Sequence, residues 1–196
     1  MARTIFNTPI ITPIARWTCV TLMKAAGWKP YGAAPSMSKC VITGAPHTSN
    51  WDGVLIVVFS FAFGIEMFWL GKQTLFRWPF GGLVRWLGGI PVERRKSTNL
   101  VEQTAQMFRD AKTLHLVIAP EGTRKKAERW KTGFYYMALQ ANIPIVLGVL
   151  DYKRRLGGFG ITINPSGNIE ADMELIRDFY ADITGKNPDQ FTIPRV

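Results

Sequence analysis

Leu114-His115-Leu116-Val117-Ile118-Ala119-Pro120-Glu121-Gly122-Thr123-Arg124 is the stretch on which the fold turns. Leu114 to Ala119 is a strongly β-prone apolar run. It stops at Pro120, which lacks a backbone donor, and Gly122, which permits a close turn. A dense basic segment follows, with Arg124, Lys125, Lys126, Arg129 and Lys131, and then a helical pattern from Lys131 to Ala141. A buried strand that empties through a turn into a helix is a unit of an α/β sheet.

The same alternation extends in both directions. Upstream lies an amphipathic pattern from Asn99 to Lys112, with Leu100, Thr104, Met107, Phe108 and Ala111 on one side and Ser97 placed as N-cap. Before it, Cys40–Thr43 and Glu66–Leu70 read as strands, and Ile90–Val92 as a brief extended piece. Val54–Phe63 and Phe80–Leu87 read as helices. Downstream, Ile143–Leu150 is a buried strand, Phe159–Ile163 a final strand and Ile169–Ile183 a closing helix. The expected fold is α/β, a central mixed but mostly parallel sheet covered by helices. Residues 33–196 would form this domain, preceded by a separate helical segment over 1–32.

That leading segment is unusual. Pro9 to Trp28 carries Ile10, Ile11, Ile14, Trp17, Val20, Leu22 and Met23 with only Arg16 and Lys24 charged. A helix with a broad apolar face and tryptophans beside lysines suits the headgroup layer of a membrane. A full span is not expected, because spanning needs about 20 apolar residues. In the first half of the chain the charge-free stretches, Thr4 to Ala15, Cys40 to Trp51 and Gly53 to Ile65, are shorter than that. No secretory signal pattern is present. The expected location is therefore the cytoplasmic face of the cell membrane, peripheral or monotopic.

Charge points the same way. Of 196 residues only 19% are charged, yet Lys and Arg number 24 against 14 acids, a formal net charge of +10. The excess is confined to residues 1–169, with 21 basic and 8 acidic side chains; residues 170–196 hold 3 and 6. Few charges with a strong basic bias imply an anionic partner: a membrane surface, a phosphorylated substrate or a nucleic acid. Phe76, Trp78, Phe80 and Trp86 interleave with Arg77 and Arg85, which suits an interface, an acyl-chain channel or base stacking. With 47% apolar residues, the chain as a whole is not disordered. Cys19 and Cys40 make neither a disulfide framework nor a metal spacing, and two distant histidines add no ligand set. No metal and no cofactor are expected.

In a parallel sheet, sites form where loops leave the carboxyl ends of strands. Three loops qualify. The first, Gly44 to Gly53, holds His47 and Asp52. Five residues apart on a helix is about 140°, so the pair works only with His47 in the loop and Asp52 in the first helical turn. Ser49 or Asn50 would cap that turn. Asp52 would then fix the imidazole's tautomer, the orienting half of a triad whose nucleophile is a substrate hydroxyl. The second loop, Gly88 to Arg95, brings Arg94, whose planar guanidinium suits phosphate. The third joins Glu121, Gly122, Thr123, Arg124 and Lys131 in one basic turn before a helix N-terminus, an arrangement for phosphate with one carboxylate to order it or to bind a hydroxyl. His115, inside a strand, is expected to be structural.

His47-x4-Asp52, Gly88 to Arg94, Pro120-Glu121-Gly122-Thr123-Arg124 and Ile143-Pro144-Ile145-Val146 stand in the order of the four blocks of the glycerophospholipid acyltransferases. Over about residues 39–151 the chain resembles their bacterial lysophosphatidate (1-acylglycerol-3-phosphate) O-acyltransferase branch. It departs at Lys125, where the family usually has serine, and at Leu147, where the fourth block often has a second proline. The resemblance implies His47 as general base and Asp52 as its orienting partner. Arg94, Glu121, Gly122, Thr123, Arg124 and Lys131 would bind the acceptor, and amides near Gly89 to Val92 the oxyanion. Gly53–Phe63 would line an acyl tunnel. The implied reaction moves a fatty acyl group from acyl-CoA or acyl-carrier protein to a lysophospholipid hydroxyl, giving phosphatidate from 1-acylglycerol-3-phosphate, with no cofactor and no nucleic acid. Another lysolipid or a glycolipid acceptor is the alternative within this chemistry. A hydrolase using water, or a basic nucleic-acid-binding module, are the alternatives outside it; the latter leaves His47 with Asp52 unexplained.

Overall fold

The computed structural model describes residues 3–93 and 97–193. Its centre is a seven-stranded sheet, β1 (Lys29–Tyr31), β2 (Lys39–Ala45), β3 (Met67–Lys72), β4 (Gly89–Val92), β5 (Leu114–Ile118), β6 (Ile145–Asp151) and β7 (Leu156–Ile163). The spatial order is β1-β7-β6-β2-β5-β3-β4. Every pairing is parallel except β6 with β7. The mixed, mostly parallel α/β sheet expected from the alternation is thus observed. The one antiparallel pair follows from chain length: only the turn at 152–155 joins β6 to β7, too short for a crossover helix.

Helices α1 (Ile11–Ala25), α2 (Asn50–Phe63), α3 (Gly81–Trp86), α4 (Ser97–Asp110), α5 (Gly133–Ala141) and α6 (Ile169–Tyr180) complete the chain. Alternation along β2 shows how they are divided. Val41 and Ala45 point into a core with Phe108 of α4, Phe134 and Tyr135 of α5 and Ile176 and Tyr180 of α6. Cys40 and Ile42 point the other way, among Met67, Val146 and Phe159. Beside that second layer, Phe59 of α2 packs with Met23 of α1 and Leu150. Each fully buried side chain such as Phe134 contributes roughly 1.5–3 kcal/mol. A buried polar link ties the helical layer to the sheet: the Thr43 and Tyr180 hydroxyls lie 2.7 Å apart, and Tyr180 donates to the Gly148 carbonyl.

Three local differences from the sequence expectation have simple causes. β1 is a three-residue edge strand that pairs only with β7, and its periodicity is too short to register. Helix α4 begins at Ser97 rather than after it. Helix α1 is shorter than Pro9–Trp28, because Gly27, at φ +74°, turns the chain out of the helix. Within α1, Met23 is buried and Ala15, Cys19 and Val20 half-buried, while Ile11, Ile14, Trp17 and Leu22 are exposed. Among the described residues, no helix is long and apolar enough to cross a membrane.

Candidate active site

β2 lies between β5 and β6, and all three run parallel. The registers place Thr43 opposite Ile118 and Ala45 opposite Val149. Their carboxyl ends therefore share one edge, and the segments that follow emerge side by side: His47 after β2, Glu121 after β5, Tyr152 after β6.

His47 sits in the loop and Asp52 in the first turn of α2, as the spacing requires. Ser49 is the N-cap; its side chain accepts from the Trp51 amide, and the Asp52 carboxylate accepts from the Ser49 amide, a complete capping box. Asp52 Oδ2 takes the backbone N–H groups of Thr48 and Ser49, both at 2.7 Å, and Oδ1 takes the Tyr152 hydroxyl at 2.7 Å. His47 Nδ1 stands 3.4 Å from Oδ2, outside hydrogen-bond geometry, and has no other partner among the described residues. Catalytic hydrogen bonds are often this long before substrate arrives. Burial of Asp52 would push its pKa up, but the His47 imidazole, the Tyr152 hydroxyl and the Ser49 amide outweigh it and hold the carboxyl below its ordinary value. The carboxylate side chain is buried and the imidazole 20% exposed, so the pair presents its nitrogen rather than its oxygen outward.

Glu121 reaches the same loop from the other side. Its Oε1 accepts the backbone N–H of His47 at 2.8 Å, while the buried Oε2 has no partner. Burial raises its pKa to about 7, against the opposing pull of the His47 amide and imidazole; the Asp52 charge adds to the rise. Glu121 thus ties the basic turn to the histidine loop. Gly122 adopts φ +67°, and a Cβ there would meet Lys131 Nζ at 2.9 Å, so only glycine lets the lysine fold back over the turn. Thr123 Oγ1 accepts from the Lys125 amide at 3.2 Å. The Arg124 and Lys131 side chains are exposed, and among the described residues no carboxylate pairs with either.

The structure thus brings together His47, Asp52, Glu121, Gly122, Thr123, Arg124 and Lys131. Arg94 lies outside the described residues. The amides of Gly89–Val92 are placed elsewhere than expected. They belong to β4, three strands from β2, roughly 14 Å away at the usual strand spacing, so this strand does not supply oxyanion donors beside His47. His115 is structural in its contacts: its Nε2 meets the Met37 carbonyl at 2.9 Å. No group of three potential metal ligands occurs among the described residues.

Two contributors escape the sequence. Tyr152 follows the last residue of β6, and its position beside Asp52 depends on a strand pairing 100 residues away. The segment after α6 fastens the histidine loop: the Asn187 amide and side chain donate to the Thr48 hydroxyl and carbonyl at 3.1 and 2.8 Å. With its side-chain amide turned over, Gln190 would donate to the carbonyls of Arg124 and Thr48. Gly185 admits this approach, since a Cβ there would stand 3.0 Å from Pro46 and Thr48. Lys186 lies over the Trp51 ring at 5.1 Å. A hydroxyl-bearing aromatic just beyond a strand that ends at the site edge is the signal that would have found Tyr152.

Beneath α2 an apolar cleft, lined by Ile42, Gly44, Ile56, Phe59, Met67 and Phe159, runs against the sheet and reaches Ala45 and Val149 at the site edge. The chain resembles the crystal structure of the 1-acyl-sn-glycerophosphate (LPA) acyltransferase PlsC from Thermotoga maritima, with a TM-score of 0.55, 14% identity, and 84% of this chain and 75% of that chain covered. At that identity the likeness speaks for the fold. No curated protein matches the chain significantly. The model of the acyltransferase family matches residues 32–147, more than half of the chain and the span that carries the His47 loop and the basic turn, and the chain belongs to that acyltransferase family.

Proposed function

We propose that this acyltransferase moves a fatty acyl group from acyl-CoA or acyl-carrier protein to the free hydroxyl of a lysophospholipid, with 1-acylglycerol-3-phosphate as acceptor and phosphatidate as product. The observation that carries the reading is the meeting, at one sheet edge, of an imidazole facing Asp52 with Arg124 and Lys131, which no carboxylate pairs with among the described residues.

His47 Nδ1 faces Asp52, leaving Nε2 for the acceptor hydroxyl. Nε2 takes the hydroxyl proton as the oxygen attacks the thioester carbonyl. The C–O bond forms, the carbonyl becomes an oxyanion, and its collapse breaks the C–S bond. The imidazolium returns its proton to the departing thiolate. Asp52, ionised and buried, stabilises the imidazolium between those events. Arg124 and Lys131, with Arg94, hold the phosphate, Gly122 and Thr123 shape the turn around it, and Glu121 fixes the histidine loop relative to it. Gly53–Phe63 of α2 would line the acyl chain.

Residues 1–32 form the membrane-associating segment and 33–196 the acyltransferase domain. Exposed Ile10, Ile14, Trp17 and Leu22 would rest in the headgroup layer, on an anionic leaflet at the cytoplasmic face, with Lys24 and Arg16 toward the phosphates. The test is mass spectrometry of products from a panel of lysolipids and acyl thioesters, with His47→Ala as control. Phosphatidate made from 1-acylglycerol-3-phosphate and absent from the control supports the reading. Acyl release that needs no acceptor overturns it in favour of hydrolysis.

A further inference from the structure

We infer that Tyr152 is a positioning residue for acyl transfer, acting through Asp52 to hold the His47 imidazole in one tautomer and one orientation. The inference rests on the proposed role of His47 as base. Tyr152 stands outside the segment that the family model matches, so nothing in that match assigns it a role.

Asp52 can serve His47 only if its carboxylate keeps one rotation. Oδ2 is shared by three claimants: the Thr48 and Ser49 amides at 2.7 Å and His47 Nδ1 at 3.4 Å. A half-turn of the carboxylate only exchanges equivalent oxygens, but a partial turn of its plane would swing Oδ2 away from His47 Nδ1. Among the described residues the Tyr152 hydroxyl is the one group on Oδ1, at 2.7 Å, and a buried oxygen stripped of that donor would turn to find another. Burial, and then the neighbouring Asp52 charge, push the Tyr152 pKa far above its ordinary value, so the phenol remains a donor throughout the working range.

The ring is itself held firmly. Its backbone N–H donates to the Thr184 carbonyl at 2.9 Å. Trp28 meets it edge-on, with centroids 5.0 Å apart. The turn that carries it is closed by Asp151, which accepts from the Lys153 and Arg154 amides and pairs with the Arg154 guanidinium at 2.6 Å. A rigid phenol on a fixed turn, aimed at the far oxygen of the carboxylate that faces the histidine, is a device for orientation rather than for packing.

The test is Tyr152→Phe, which removes one oxygen and keeps the ring against Trp28. We expect kcat to fall about tenfold, the scale of a lost hydrogen bond to a charged group, with both KM values unchanged. The ¹⁵N shifts of His47 should pass from one tautomer, protonated on Nδ1, to a mixture. In an Asp52→Asn background the same substitution should cost less than twofold, because its route is gone. Site-specific 3,5-difluorotyrosine at 152, which keeps a donor, should retain wild-type kcat, and it serves equally if the Phe variant folds poorly. Wild-type kcat and an unchanged tautomer in Tyr152→Phe, or a full additional loss in the Asn background, would overturn the inference. If His47→Ala is inactive while Tyr152→Phe is normal, only this inference fails; if His47→Ala is active, the base assignment fails first.

Discussion

The histidine loop and the basic turn lie on the same sheet edge and are built on opposite principles. In the first, the Asp52 carboxylate is engaged at both oxygens, Thr48 is bonded at its amide, carbonyl and hydroxyl, and the His47 amide is taken by Glu121. In the second, the Arg124 and Lys131 side chains are exposed, Lys131 lying over Gly122, and among the described residues no carboxylate pairs with either. A proton-transfer group gains from preorganisation, because a small displacement costs rate. A binding cation gains from vacancy, since a resident partner would have to be displaced by the ligand. The difference separates what should alter turnover from what should alter affinity.

The sharpest break of that division comes from the histidine loop. His47→Ala should lower kcat by about a thousandfold with the fold intact, measured by initial rates and a thermal melt. On the other side, Arg124→Ala should raise the acceptor KM roughly thirtyfold, the loss of a charge-assisted hydrogen bond, with kcat within a fewfold of wild type. Equal effects on kcat and KM in both variants would dissolve the comparison.

Glu121 joins the two regions and gives a pH-dependent test. Its pKa is about 7 in the folded protein and about 4.5 unfolded, so the folded state binds the proton more tightly. The stability linked to that proton is full below about pH 4.5 and lost as pH rises through 7. Glu121→Gln keeps an acceptor for the His47 amide and cannot ionise. It should therefore raise the melting temperature at pH 8, by an amount equivalent to about 1–3 kcal/mol, and leave it unchanged at pH 4.5. A variant less stable at pH 8 would mean that the charge itself holds the loops together. The smallest effect is expected farthest away: Ile14→Ser with Trp17→Ser should weaken sedimentation with anionic vesicles a fewfold, while transfer to a soluble short-chain acceptor stays normal.

Local sequence carried much of this architecture. The β-prone run at 114–118, the helix over Asn50–Phe63 and its Ser49 cap are set by neighbours within a turn or two. Asp52 both completes the capping box of α2 and faces His47. The contributions of Tyr152, Asn187 and Gln190 depend on contacts across 100 or more residues in sequence, where no periodicity speaks. The expectation at Gly89–Val92 was carried by the resemblance alone, and strand order puts that segment at the far edge of the sheet. Ile14 and Trp17, read from the sequence as part of an apolar face suited to the headgroup layer, are exposed.

The fastening of Thr48 by Asn187 bears on how the molecule is made. The two residues are separated by 139 positions, so a ribosome completes β2, α2 and the whole parallel sheet before the segment that secures the histidine loop is synthesised. A nascent chain caught before that moment holds the histidine loop by Glu121 and Asp52 alone, and the ties of Asn187 to the Thr48 hydroxyl and carbonyl are the last of the loop's bonds to become available.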